Sequence, residues 1–165
     1  MVPVVYDPRS GYPGVVVELA YQDVTRSLQW LADVFGLRPV LWQPAGDDLA
    51  HAEVETELGG IVMLRKASGD APAPCRGDTC KQVVAWVSDV DEHHARVAAR
   101  GAEIVRPPVT KPFGLRQYLV RDREGHLWEF TQHVRDVPPA EWGAVMPDDK
   151  SARADEAVDD LRQGT

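Results

Sequence analysis

The side chains able to do chemistry are few and scattered, and their spacing narrows the reactions open to this chain. Two cysteines, Cys75 and Cys80, stand in the segment APAPCRGDTC. They read as a small disulfide loop or as half of a zinc site. No second Cys or His pair stands nearby at ligand spacing, so structural zinc has little support, and two incidental thiols in a linker are the plainer reading. The histidines do not converge on one site either. His93 and His94 fall on a helical pattern, His126 at a turn and His133 at the far end of a strand, while His51 sits on a strand where a solvated position is the common outcome. There is no GxSxG elbow, no HExxH and no Gly-rich phosphate loop. The carboxylates Glu18 and Glu129 stand in alternating strand patterns and, on the residues alone, read first as the polar half of a strand with one wet face. Arg116 and Arg121 suit an anionic ligand, although strand arginines are commonly solvated or salt-bridged.

The elements that must position these groups occur twice. Val16–Val24 resembles Gln82–Val90 at an offset of 66, and the same offset lays Gly59–Leu64 on Gly125–Phe130. Two separate segments that keep one register indicate a supersecondary module repeated in tandem. In the first copy, Val15–Tyr21 is rich in β-branched residues and predicts a strand. Asp23 is placed to cap a helix on which Val24, Leu28, Leu31 and Phe35 share one face, and Gly36 ends it. Extended runs follow at Arg38–Gln43, Leu49–Glu57 and Gly60–Arg65, separated by turns at 44–47 and 58–59. The second copy predicts a strand at Gln82–Val87, a helix from Asp89 or Asp91 to Arg100, and strands at Ala102–Arg106, Leu115–Arg121 and His126–His133. The expected organisation is α+β: a βαβββ module over residues 1–66, a linker at 67–80, a second βαβββ module over 81–135, and residues 136–165 as a short helix (138–145) and an acidic tail.

Composition sets the outer bounds. The chain has 165 residues, 44% of them apolar and 27% charged, which fits a globular domain. Eighteen basic against 26 acidic side chains give a net charge of -8, which argues against a nucleic-acid partner and permits attraction to cationic ligands. No apolar run approaches the roughly 20 residues of a membrane span, and the first residues lack the basic cap and apolar stretch of a signal peptide. A cytoplasmic protein that engages no membrane is the expectation.

The stretch DVTRSLQWLADVFGLRP, followed by PFGLRQYLVRDREGHLWEF, resembles the vicinal oxygen chelate superfamily. That superfamily includes glyoxalase I, extradiol dioxygenases, fosfomycin-resistance enzymes and bleomycin-resistance proteins. The run Asp122-Arg123-Glu124-Gly125-His126 after Gly114 carries most of the likeness, as the turn into the last strand. The resemblance covers residues 14–134 and implies curved antiparallel sheets around a cavity; it fixes a scaffold rather than a reaction. It also implies where metal ligands stand in metal-dependent members: Val16 and Met63 in the first module, Gln82 and Glu129 in the second. Valine has no donor and a thioether is a poor ligand for hard cations, so no metal is expected. A divalent ion held by Gln82 and Glu129 is the alternative.

Strand parity, with the parity of the family for residues 115–121, gives a concave set of Glu18, Met63, Gln82, Trp86, Gln117, Leu119 and Glu129, with Trp42 as a further candidate. Such a mixture of apolar, aromatic and a few polar groups suits a small-ligand pocket. Trp86 filling core volume and Met63 filling a gap are the plainer readings of those two residues. Three functions compete. The first is a bleomycin-resistance-like protein that sequesters a small organic molecule, cationic by preference, without a metal or other cofactor. The second is a lyase or isomerase using Glu129 as base or metal ligand, since a carboxylate desolvated beside Trp86 would hold its proton more tightly. The third is a regulatory or structural dimer with a vestigial cavity. A homodimer is expected, because this family commonly completes its cavity by pairing modules, sometimes across subunits.

Overall fold

In the computed structural model, residues 12–70, 72–74, 82–144 and 146 are described. The first module runs β1 (Val17–Tyr21), α1 (Val24–Trp30, continued by one π-helical turn, Leu31–Phe35), β2 (Arg38–Ala45), β3 (Asp48–Glu55) and β4 (Ile61–Lys66). The second repeats it as β5 (Gln82–Trp86), α2 (Val90–Ala99), β6 (Glu103–Thr110), β7 (Leu115–Arg121) and β8 (Leu127–His133), before a short 3-10 turn at Pro139–Trp142. Cys75, Cys80 and the tail beyond residue 146 lie outside the described residues.

Local chemistry sets the helix ends. The Asp23 carboxylate accepts from the Arg26 amide, and Asp89 accepts from the amides of Asp91 and Glu92, so each helix starts on an N-cap aspartate. The first helix stops where Gly36 takes up a left-handed conformation, φ 73°.

The sheets have the matching orders β1-β4-β3-β2 and β5-β8-β7-β6. They are mixed rather than wholly antiparallel, because β1 pairs parallel with β4, and β5 with β8. The reason is topological. The helical crossover brings the second strand back in the direction of the first, and two hairpins later the fourth strand again runs that way before inserting beside the first.

One face of each sheet meets its helix, and these core faces merge. Leu19, Val54 and Leu64 from one module and Val83, Tyr118, Trp128 and Phe130 from the other belong to a single buried cluster. Phe35 binds the halves together, its ring 5.5 Å from Trp128 and 5.1 Å from Phe130, both edge-on. His93 on α2 reaches across as well, bonding the Phe35 carbonyl through Nε2 at 2.9 Å and the Tyr118 hydroxyl through Nδ1 at 2.6 Å. With the helix-bearing faces sharing a core, each sheet keeps its opposite face open.

The turn 122–126 clasps the modules. Asp122 Oδ1 accepts from the amides of Glu124, Gly125 and His126, while Oδ2 accepts from the hydroxyl of Tyr21 (2.7 Å) and the indole of Trp128 (3.2 Å). Glu124 accepts from the amides of Gln22 and Asp23 at the entry to α1, and His126 Nε2 bonds the Ala20 carbonyl. Burial, and then the neighbouring Asp122 carboxylate, push the Tyr21 hydroxyl well above its ordinary value, so it stays a donor. The DREGH run is thus an architectural device.

Candidate functional site

The two open faces are built row by row from the strand registers. In module one, Glu18, Met63, Glu53 and Leu41 form one row across β1, β4, β3 and β2, and Ala20, Arg65, His51 and Gln43 form the next. In module two, Val84, Glu129, Leu119 and Arg106 form a row across β5, β8, β7 and β6, flanked by Trp86, Thr131, Gln117 and Val109. Gln82 and Glu129 share this face but are not direct neighbours, since Gln82 stands opposite Leu127 and Glu129 opposite Val84.

Module two presents an apolar rim over a polar floor. Val84 and Trp86 are 48% and 43% exposed, large apolar side chains facing outward from an edge strand. Beside them Glu129 is buried and doubly engaged: Arg106 Nη2 donates to Oε2 at 2.7 Å and Gln117 Nε2 donates to Oε1 at 3.0 Å. Gln117 also donates to Thr131 Oγ1, while Arg106 Nε is buried without a hydrogen-bond partner. For Glu129 to act as a base, a ligand would first have to displace a guanidinium and an amide. Glu18 has a partner too, with Arg65 Nε 3.3 Å from its carboxylate. Arg106, Gln117 and Arg65 thus supply donors to both carboxylates, and neither needs a cationic ligand to complete its pairing.

Trp42 belongs elsewhere. A β-bulge between Pro39 and Leu41 shifts the parity of β2, so Trp42 pairs with the core residue Ala52 and stands on the helix side. There, 58% exposed, it lines a groove of about 410 Å³ with Leu28, Gln29, Ala32, Pro39 and Leu49. Its assignment to the concave set is corrected for that reason.

Sequence reasoning passed over a deeply buried carboxylate of module one. Glu53 is 1% exposed, and its Oε1 accepts from the Tyr12 hydroxyl at 2.7 Å and lies 3.0 Å from His51 Nε2. His51 is therefore a partly buried, bonded residue rather than a solvated one. Strand parity contained the signal, because His51, Glu53 and Glu55 alternate with the buried Ala52 and Val54. Arg106 was hidden differently: register shifts on both sides of it, at Ile104/Arg106 and Arg106/Val109, break the alternation of β6. Arg116 pairs with Asp91 through two 2.8 Å bonds at the surface, which is its plain structural reading.

A family model for the Glyoxalase/Bleomycin resistance protein/Dioxygenase superfamily matches residues 15–130. The chain belongs to this superfamily. Among solved structures, TioX from Micromonospora sp. ML1 is 56% identical, covering 74% of this chain and 99% of that one, with a TM-score of 0.63. A glyoxalase/bleomycin resistance protein/dioxygenase from Nocardioides is 21% identical over 76% of this chain and 85% of its own, TM-score 0.56. TnmS3, an antibiotic binding protein from Streptomyces sp. CB03234, shares the fold at 18% identity, with 74% and 98% covered and a TM-score of 0.60. No curated protein matches the chain significantly. The superfamily implies a metal in some members, but the residues here do not fit one. Val16 offers no donor, Met63 offers a thioether, and the oxygens of Glu129 are committed to Arg106 and Gln117. Among the described residues no three His, Cys, Asp or Glu side chains gather as a metal site, and no helix is long and apolar enough to cross a membrane.

Proposed function

We propose that this superfamily member binds a small, largely apolar organic molecule on the open faces of its sheets, without a resident metal, in a sequestration or resistance role. The observation that carries the reading is the exposed pair Val84 and Trp86 above the satisfied Glu129–Arg106–Gln117 floor. An apolar wall beside a few fixed polar groups is the composition of a ligand pocket, and the area buried supplies most of the affinity. TnmS3, which shares the fold, is an antibiotic binding protein, in keeping with a small-molecule ligand.

The site is completed by a second copy of the chain. Each sheet leaves one face open, and β1 and β5, each paired on one side only within its sheet, are edges. A two-fold dimer that sets the module-one face of one protomer against the module-two face of its partner covers both faces and makes two equivalent cavities. Titration of tryptophan fluorescence in EDTA with naphthol and with larger polycyclic aromatic natural products tests the reading. Saturable quenching that Trp86→Ala weakens is expected; quenching that requires an added divalent ion overturns it.

A further inference from the structure

We infer that the open face of module one carries a phenol-recognition subsite, the Glu53 carboxylate backed by His51, and that Tyr12 occupies it in the free protein. The inference rests on the proposed reading of the open faces as a small-molecule site and names a chemical class for its ligand. Glu53 is almost completely buried, and it projects from the open face because Ala52 and Val54 on either side point into the core. A carboxylate so placed must be met by donors. One of those donors is a phenol: the Tyr12 hydroxyl at 2.7 Å. Another is the imidazole of His51, 3.0 Å away and one row along the same strand.

Tyr12 is an unusual tenant. It precedes β1, in a stretch outside any helix or strand, yet it meets β3, two strands across the sheet. To get there the chain passes over the open face, and the Tyr12 ring remains 47% exposed. The buried acceptor belongs to the sheet, whereas the donor is carried by an exposed segment. Such a donor competes with an incoming ligand as a tethered group does, at an effective concentration set by its tether. A ligand hydroxyl on an aromatic ring reproduces the geometry Glu53 already accepts, with the ring lying over Met63 and Leu41 in the same row. An aromatic ether of equal shape brings no hydroxyl to replace the one it displaces and is disfavoured.

The probes are naphthol and its methyl ether, titrated against the full chain by tryptophan fluorescence. Tyr12→Ala, at an exposed position that leaves the core untouched, should raise the affinity for naphthol about tenfold or more and that for the ether far less, the scale of one charge-assisted hydrogen bond. Adding Glu53→Gln to Tyr12→Ala should collapse the preference. Tyr12→Phe, which keeps the ring and removes the hydroxyl, should raise naphthol affinity in the same direction. If Tyr12→Ala binds both probes with the ratio found for the unmodified chain, or weakens both, the subsite is overturned while the open-face site stands. If no variant binds either probe, both readings fail.

Discussion

Replacing His93 by glutamine should flatten the acid side of the stability profile. The imidazole is buried between the modules with both nitrogens engaged: Nε2 donates to the Phe35 carbonyl, and Nδ1 accepts from the Tyr118 hydroxyl. Protonation puts a charge into a buried site and makes Nδ1 a donor as well, so the Tyr118 hydroxyl has to turn to accept from it. Burial holds the imidazole below its ordinary value of 6.5, helped by Arg96 and His94 on its own helix and opposed by the Phe35 carbonyl and by Glu57 from the β3–β4 turn. The unfolded chain therefore takes up this proton first. His93 contributes its full stability above pH 6.5 and loses it progressively as the pH falls below. One group that protonates only in the unfolded state costs at most about 1.4 kcal/mol between pH 7.5 and roughly 5.5. Urea denaturation at both pH values and one fixed protein concentration, for the unmodified chain and His93→Gln, isolates this group from the others that titrate. The unmodified chain should lose more stability than the variant, by about 1 kcal/mol. Equal losses would refute the argument that His93 is held neutral.

Asp122→Ala removes the acceptor shared by three amides, a hydroxyl and an indole, and should cost about 3–5 kcal/mol in urea denaturation, the range for orphaning a buried charged network. Gly114→Ala would set a Cβ 2.1 Å from the Arg135 carbonyl oxygen at φ +85°, so a loss above about 2 kcal/mol is expected, read as a lowered melting temperature. Glu129→Gln should lower stability by about 1–2 kcal/mol, through loss of the partly exposed Arg106 pair, while changing affinity for an uncharged aromatic probe less than Trp86→Ala does; calorimetry on both variants separates the two effects.

Periodicity carried the fold because most elements keep their period from end to end. Val24, Leu28, Leu31 and Phe35 recur on one helix face and are all buried, Asp23 caps and Gly36 stops the helix, and β7 runs over Leu115–Arg121 as its alternation says. The duplication was legible for the same reason, since two modules that share a core must keep equivalent positions apolar. The site was less legible where a bulge resets parity. Trp42 crosses to the helix side behind the irregularity at Pro39/Leu41, and Arg106 enters the open face between the irregularities at Ile104/Arg106 and Arg106/Val109. Partners distant in sequence were invisible too. Glu129 reads as a free carboxylate until Arg106 is brought to it, 23 positions away, and Glu53 reads as an ordinary wet-face residue until Tyr12 arrives from 41 positions upstream. Alternation places a side chain on a face but does not say what meets it there.

The central claim, a cavity shared by the module-one face of one protomer and the module-two face of its partner, is tested most directly by complementation. Met63→Lys damages the first face and Trp86→Asp the second, each at a position that is not part of the buried core. Each variant alone should fail to bind the aromatic probe in EDTA. After subunit exchange in an equal mixture, half of the dimers are mixed and each of these has one undamaged cavity of two, so about a quarter of the original binding capacity should return. A mixture that stays as inactive as its parts, with sedimentation showing that subunits have exchanged, would contradict the shared cavity.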